Sequence, residues 1–167
     1  MARGPRYHVE FRRRREGKTD FRLRKGLITS GKPRAVVRCS TKNTEIQFIN
    51  FNIKGDNVEV TATTKELKKL GWKRATGNTP SAYLVGYLAG KRASEKGIKK
   101  AVLDIGLKQP VRGSKVFAAL KGMVDAGVDI PHSENILPSE ERISGSHIDE
   151  KVAKDFESVL NKIKEAA

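Results

Sequence analysis

The chain has 167 residues, with 34 Lys and Arg against 19 Asp and Glu, a formal net charge of +15. No apolar run approaches the roughly 20 residues of a membrane helix, and the start, MARGPRYHVEF, lacks the apolar stretch of a signal peptide. The single cysteine, Cys39, excludes an internal disulfide and a Cys-based zinc cage, so a soluble, intracellular protein with a polyanionic partner is expected.

The charge is polarised. Residues 1–34 carry a net +9, residues 35–77 +4, residues 78–115 +6 and residues 116–167 −4. Such asymmetry implies a binding side and a non-binding side, and nucleic acid fits the basic side better than a membrane does. A membrane would call for a basic amphipathic helix with a broad apolar face, and the chain shows none.

In chain order, residues 1–33 hold two basic strings, Arg12-Arg13-Arg14-Arg15 and Arg22-Leu23-Arg24-Lys25, with few apolar residues. Alone, this segment buries too little to offset its ordering entropy, so it is expected to be extended or nascently helical without RNA. Residues 34–40 and 45–51 read as strands, the second with both faces partly covered, and 57–62 alternates strongly at Val58, Val60 and Ala62. Short connections make the three an antiparallel meander. A short helix follows from Lys65 to Leu70.

Thr79 is expected to cap a long helix with Pro80 at its first position and Gly97 as its stop. Residues 100–106 form a fourth strand whose unbroken apolar run predicts a central place in the sheet. A second long helix, capped by Ser114, should end at Gly127. A last helix, capped by Ser146, should carry a stripe of Ile148, Val152, Phe156, Val159, Leu160 and Ile163. That stripe needs a surface, in this domain or in a neighbour. The fold class expected is α/β: a mixed sheet, with an antiparallel three-stranded meander plus a central strand, covered by helices. The division expected is a basic RNA-binding arm (1–33), an α/β core (34–133) and an acidic helical extension (134–167).

Chemical motifs are few. Gly86-x-x-x-Gly90-Lys91 fails as a phosphate-binding loop, because three residues separate the glycines and Arg92 follows the lysine; small residues letting the helix approach the sheet explain it better. Asp104 at the end of the fourth strand is the one position on which a metal-dependent, ribonuclease-H-like nuclease would turn, but that chemistry needs several converging carboxylates. His8, His132 and His147 are scattered, so neither a metal nor a cofactor is expected. Two loops share a design of cations and glycine just before a helix N-terminus, where exposed amides attract phosphate. One runs from Trp72 through Lys73 and Arg74 to Asn78; the other runs from Lys108 through Arg112 to Ser114 and Lys115.

Eight strings occur in order: Gly4-Pro5-Arg6-Tyr7, Arg12 to Asp20, Ser30 to Arg34, Gly71-Trp72, Thr76 to Tyr83, Ala101 to Leu107, Gly113 to Ala118, and Asp129 to Ser133. Together they resemble the archaeal form of the large-subunit ribosomal protein family numbered eighteen, over nearly the whole chain. The resemblance implies a structural, non-enzymatic protein of the cytoplasmic ribosome that binds 5S rRNA. It also implies contacts with large-subunit rRNA and with neighbouring ribosomal proteins of the central protuberance, with no small-molecule substrate. The RNA-facing residues it implies are Arg3, Arg6, Tyr7, Arg12, Arg13, Arg14, Arg15, Lys18, Thr19, Arg22, Arg24, Lys25 and Lys32 in the arm. In the loops they are Trp72, Lys73, Arg74, Asn78, Lys108, Arg112, Ser114 and Lys115. Phe21 stands where the resemblance leads one to expect Tyr, which keeps a stacking ring and loses a hydroxyl. Tyr7, Phe21 and Trp72 are candidates for stacking on bases or for packing.

Overall fold

The computed structural model describes residues 4–165. The arm folds into two helices, α1 (Arg12–Arg15) and α2 (Phe21–Thr29). Asp20 starts α2 by accepting hydrogen bonds from the backbone N–H groups of Arg22 and Leu23, which satisfies two of the donors a helix start leaves open. The rings of Phe11 and Phe21 meet with centroids 5.2 Å apart and join the two helices.

The sheet is mixed, with β1 (Arg34–Cys39), β2 (Thr44–Asn50), β3 (Asn57–Thr63) and β4 (Val102–Asp104) in the order β3-β2-β1-β4. The first three form the expected antiparallel meander, and β4 pairs parallel to β1. β4 is therefore an edge strand and not the central one expected. Its apolar run earns burial differently: Ala101 is fully buried, and its N–H donates to the carbonyl of Asp129, so segment 128–130 closes that edge.

Register assigns the faces. Ala35, Val37, Ile46, Phe48, Val60 and Ala62 point into the helical side and are at most 4% exposed. Arg34, Val36, Arg38 and Asp104 point to the opposite face.

The helical side holds α3 (Thr64–Leu67), α4 (Thr79–Glu95) and α5 (Lys115–Asp125). α4 lies across β2 and β3, and α5 across β1. Its cap is Asn78, whose side chain accepts the N–H of Ser81; Thr79, the expected cap, is the first helical residue. Both types cap well and Pro80 fits either position of the first turn, so local chemistry leaves a one-residue ambiguity. Gly86, Gly90 and Gly122 bring α4 against α5, not against the sheet as expected. A Cβ on Gly86 would overlap the carbonyl of Ala119, and one on Gly122 would overlap the carbonyl of Tyr83. Gly97 (φ 77°) and Gly127 (φ 99°) end the two helices in the left-handed region that favours glycine.

Beyond a 3-10 turn at Glu134–Ile136, α6 (Glu140–Ser144) and α7 (Glu150–Glu165) pack on the outer side of α4. Val152, Phe156, Val159 and Ile163 are buried there and Leu160 is half-buried, so the stripe finds its surface within this chain. Ile148 is 54% exposed and precedes the helix. Asp149, not Ser146, opens α7: its carboxylate accepts the N–H of Lys151 and its carbonyl those of Val152 and Ala153. No helix among the described residues is long and apolar enough to cross a membrane.

Candidate nucleic-acid interface

The arm presents its cations outward. Arg6, Tyr7, Arg12, Arg13, Arg14, Arg15, Lys18, Arg22, Lys25 and Lys32 are all exposed, while Thr19 and Arg24 are half-buried. Arg3 lies outside the described residues. Glu10 and Glu16 partly compensate α1, through Arg14 at 3.1 Å, Arg12 at 3.9 Å and Lys18 at 2.8 Å. Exposed pairs of this kind contribute little to stability, so they yield readily to a phosphate. Arg15, Arg22 and Lys25 have no ion pair among the described residues.

The arm is fastened to the sheet through a chain of ion pairs that pattern reading of the sequence missed. Arg24 Nη2 meets Asp56 Oδ2 at 2.8 Å, and Arg34 Nη2 meets the same oxygen at 2.6 Å. Arg34 Nη1 reaches Asp104 Oδ2 at 3.1 Å, and Arg38 Nη2 reaches Asp104 Oδ1 at 3.0 Å. The available signal was a lone charge, Asp104, inside an apolar strand run, facing Arg34 and Arg38 at alternate positions of another strand. Both Asp104 oxygens are occupied, since Gly106 N–H also donates to Oδ1. The geometry is that of an anchor holding two arginines, and among the described residues no cluster of three His, Cys, Asp or Glu side chains gathers as metal ligands would.

The two basic loops converge. Lys115 Nζ donates to the carbonyls of Gly77 (3.0 Å) and Ser40 (3.3 Å), and Thr76 Oγ1 donates to the carbonyl of Lys42 (2.6 Å). Gly77 sits so close to the β1–β2 turn that a Cβ would collide with the carbonyl of Thr41. Exposed Lys42 thereby joins the surface, a residue not singled out from sequence. Lys73, Lys108 and Arg112 are also exposed, whereas Lys115 spends two of its three donors inside the protein.

Four expected site residues do other work. Trp72 is 2% exposed, its Nε1–H donating to the carbonyl of Ala75 at 3.1 Å; its ring packs in the core and offers no face to a base. An indole beside glycine and cations reads the same from sequence in either role. Arg74 Nε is held by Asp155 of α7 at 2.8 Å. Asn78 caps α4 through its side chain. Ser114 caps α5 by position, with its carbonyl accepting from Phe117 and Ala118, and its hydroxyl makes no capping bond.

The arm and the loops meet at Leu107, which lines the same cavity as Arg13 and Lys18. Leu107, at one end of the loop at 107–113, thus borders the arm, and Lys115 beyond its other end reaches the β1–β2 turn. Cations at this exposure keep their own counterions, and a polyanion displaces them with a gain in entropy.

Comparison with known proteins agrees with this architecture. A family model described as ribosomal large subunit proteins 60S L5, and 50S L18 matches residues 5–99 and 91–133. The large ribosomal subunit protein uL18 of Methanothermobacter thermautotrophicus is 55% identical over 162 residues, 97% of this chain and 84% of the relative. That of Aeropyrum pernix is 58% identical over 149 residues, 89% of this chain and 70% of the relative. With two matched segments that span the arm, the sheet and both central helices, the chain belongs to the family of large-subunit ribosomal proteins comprising 60S L5 and 50S L18.

Proposed function

We propose that this chain is a structural, non-catalytic ribosomal protein that binds 5S rRNA and helps attach it to large-subunit rRNA in the central protuberance of the cytoplasmic ribosome. The observation that carries the reading is the dense set of exposed cations on the arm, with the exposed cations Lys42, Lys108 and Arg112 in two further loops. A-form RNA hides its major groove, so such a set reads phosphates, 2′-hydroxyls and unstacked bases. Arginine dominates the arm because its planar fork grips phosphate and stacks on bases. Within this scheme, residues 1–33 are the RNA-gripping arm, 34–133 the core, and 134–167 the acidic extension that meets neighbouring ribosomal proteins.

The test is competition binding at fixed salt. The full chain should prefer 5S rRNA over an unrelated RNA of equal length, with a log–log salt slope of about −0.7 to −0.9 per phosphate contact. Removing residues 1–25 should abolish most of that affinity and leave the α/β domain folded, as read by circular dichroism. Unchanged binding by the truncated chain refutes the assignment of the arm.

A further inference from the structure

Between the arm and the face of the sheet opposite α4 and α5 lies a cavity of about 110 Å³. That is about the space of three or four water molecules, enough for one tetrahedral oxyanion. Its wall comes from two parts of the chain. The arm supplies Arg13, Lys18 and Arg24, and β1 supplies Arg34 and Arg38. The acids in the wall are Asp20 and Asp104.

Both acids are already committed. Asp20 Oδ1 accepts the N–H groups of Arg22 and Leu23, and Asp104 is divided between Arg34, Arg38 and Gly106. Glu16 pairs with Lys18 and Asp56 with Arg24 and Arg34 from behind the wall, so five cations against four acids leave one positive charge. Arg34 is 4% exposed, and its Nε is buried with no hydrogen-bond partner among the described residues. A buried guanidinium N–H without an acceptor costs free energy unless a ligand oxygen reaches it.

Further donors remain. Arg13 spends only Nε, on Thr19 Oγ1 at 2.8 Å, which leaves both Nη groups. Arg38, with its side chain 48% exposed, spends its Nη groups on Val37 O, Asp104 O and Asp104 Oδ1 and keeps Nε. The loop is shaped to seat it: Gly106 has φ 65°, and a Cβ there would press on Arg38 Cζ at 3.0 Å.

We infer that this cavity is a binding site for a single phosphate group, gripped by Arg13 and Lys18 from the arm and by Arg38 from the sheet. Asp104 is the positioning residue that aims Arg38. Because the two halves of the site come from the arm and the sheet, filling it fastens one to the other, and phosphate binding and arm docking stabilise each other reciprocally. The inference rests on the RNA reading only for the source of the phosphate, which is an rRNA backbone in the assembled particle and inorganic phosphate in its absence.

The experiment uses the full chain with ¹⁵N-labelled arginine, following the Nε–H signals by NMR. Sodium phosphate replaces sodium chloride at constant ionic strength. The signals of Arg13 and Arg38 should shift saturably, while that of exposed Arg112 stays put. Arg13→Gln and Arg38→Gln should each weaken phosphate binding about tenfold or more, the scale of one charge-assisted hydrogen bond. Arg13 is exposed on the arm, so its variant keeps the test sound if Arg38→Gln fails to fold. In a second arm of the experiment, Arg13→Gln should reduce the salt slope of 5S rRNA binding by about one.

Saturation with an unchanged slope supports the site and assigns it to free phosphate; a reduced slope assigns it to the RNA backbone. No saturation together with an unchanged slope overturns the proposal. A wild-type chain that does not discriminate 5S rRNA sinks the functional reading instead, and the phosphate titration still decides the site.

Discussion

Replacing Phe156 by Ala tests whether the C-terminal helix is part of the folding unit. Phe156 is 6% exposed and its ring lies 5.6 Å from that of Tyr83 on α4, at a tilt of 45°. Its neighbours on the stripe, Val159 and Ile163, are each 1% exposed, so the site has little room to collapse around the lost ring. Deleting a buried Phe side chain costs about 3–5 kcal/mol through lost transfer energy and the cavity left behind. With a urea m-value of about 2 kcal/mol/M, the unfolding midpoint should fall by about 2 M at unchanged m. The assay is urea unfolding followed both by Trp72 fluorescence and by far-ultraviolet circular dichroism, which should coincide in a single transition. Trp72 is buried in the same core cluster as Phe156, so its fluorescence reports the junction directly. A loss below about 1 kcal/mol, or a separate early transition carrying only helical signal, refutes the reasoning and makes α7 an appendage.

Three further outcomes are expected. Gly86→Ala should lower Tm despite a gain in helix propensity of about 1 kcal/mol, because the new methyl meets backbone of α5 and overpacking costs about 1–3 kcal/mol or more; differential scanning calorimetry reads it, and an unchanged or raised Tm contradicts the close contact. Asp104→Asn should cost about 3 kcal/mol in urea unfolding by leaving the charge of buried Arg34 under-compensated, whereas Arg38→Gln should cost less because that side chain is half exposed; equal costs would contradict the anchor. Burial alone would raise the Glu66 carboxyl, but hydrogen bonds from Arg92 and from the backbone and side chain of Thr63, with the charge of Arg92, hold it below its ordinary value of 4.5. Its contribution is therefore present above that pH and lost as pH falls through the lowered value, so Glu66→Gln should flatten the acid limb of a stability–pH curve below about pH 4.5, and an identical limb would count against the pairing.

The sequence revealed whatever depends on short-range pattern. Alternation at Val58, Val60 and Ala62 located β3, and the helical spacing of Val152, Phe156, Val159 and Ile163 located α7. Helix starts were blurred where neighbouring residues have the same capping chemistry, as at Asn78 and Thr79 or at Ser146 and Asp149. The expected central place of β4 differs from its edge position because an apolar run does not say what covers it: segment 128–130 covers Ala101, while Val102 and Leu103 are left half-buried. The ion-pair chain was out of reach for another reason. Arg34 and Asp104 are 70 residues apart, and strand pattern reading treats each as a polar interruption. Trp72 shows the same limit at the interface, since composition names the aromatic and only tertiary packing says which way its ring faces.

α4 has a consequence for the dynamics of the whole molecule. Ten of its 17 residues are buried, and it touches β2, β3, α3, α5, α6 and α7. No partial opening can free the middle of α4 without releasing most of those neighbours at once. Its central amides should therefore exchange with solvent deuterium only through global unfolding, while those of α1, which has no buried residue, exchange in brief local openings. The chain thus joins a stiff hub to a mobile first helix, so the exposed cations of α1 can adjust to an irregular surface while the rest keeps its shape.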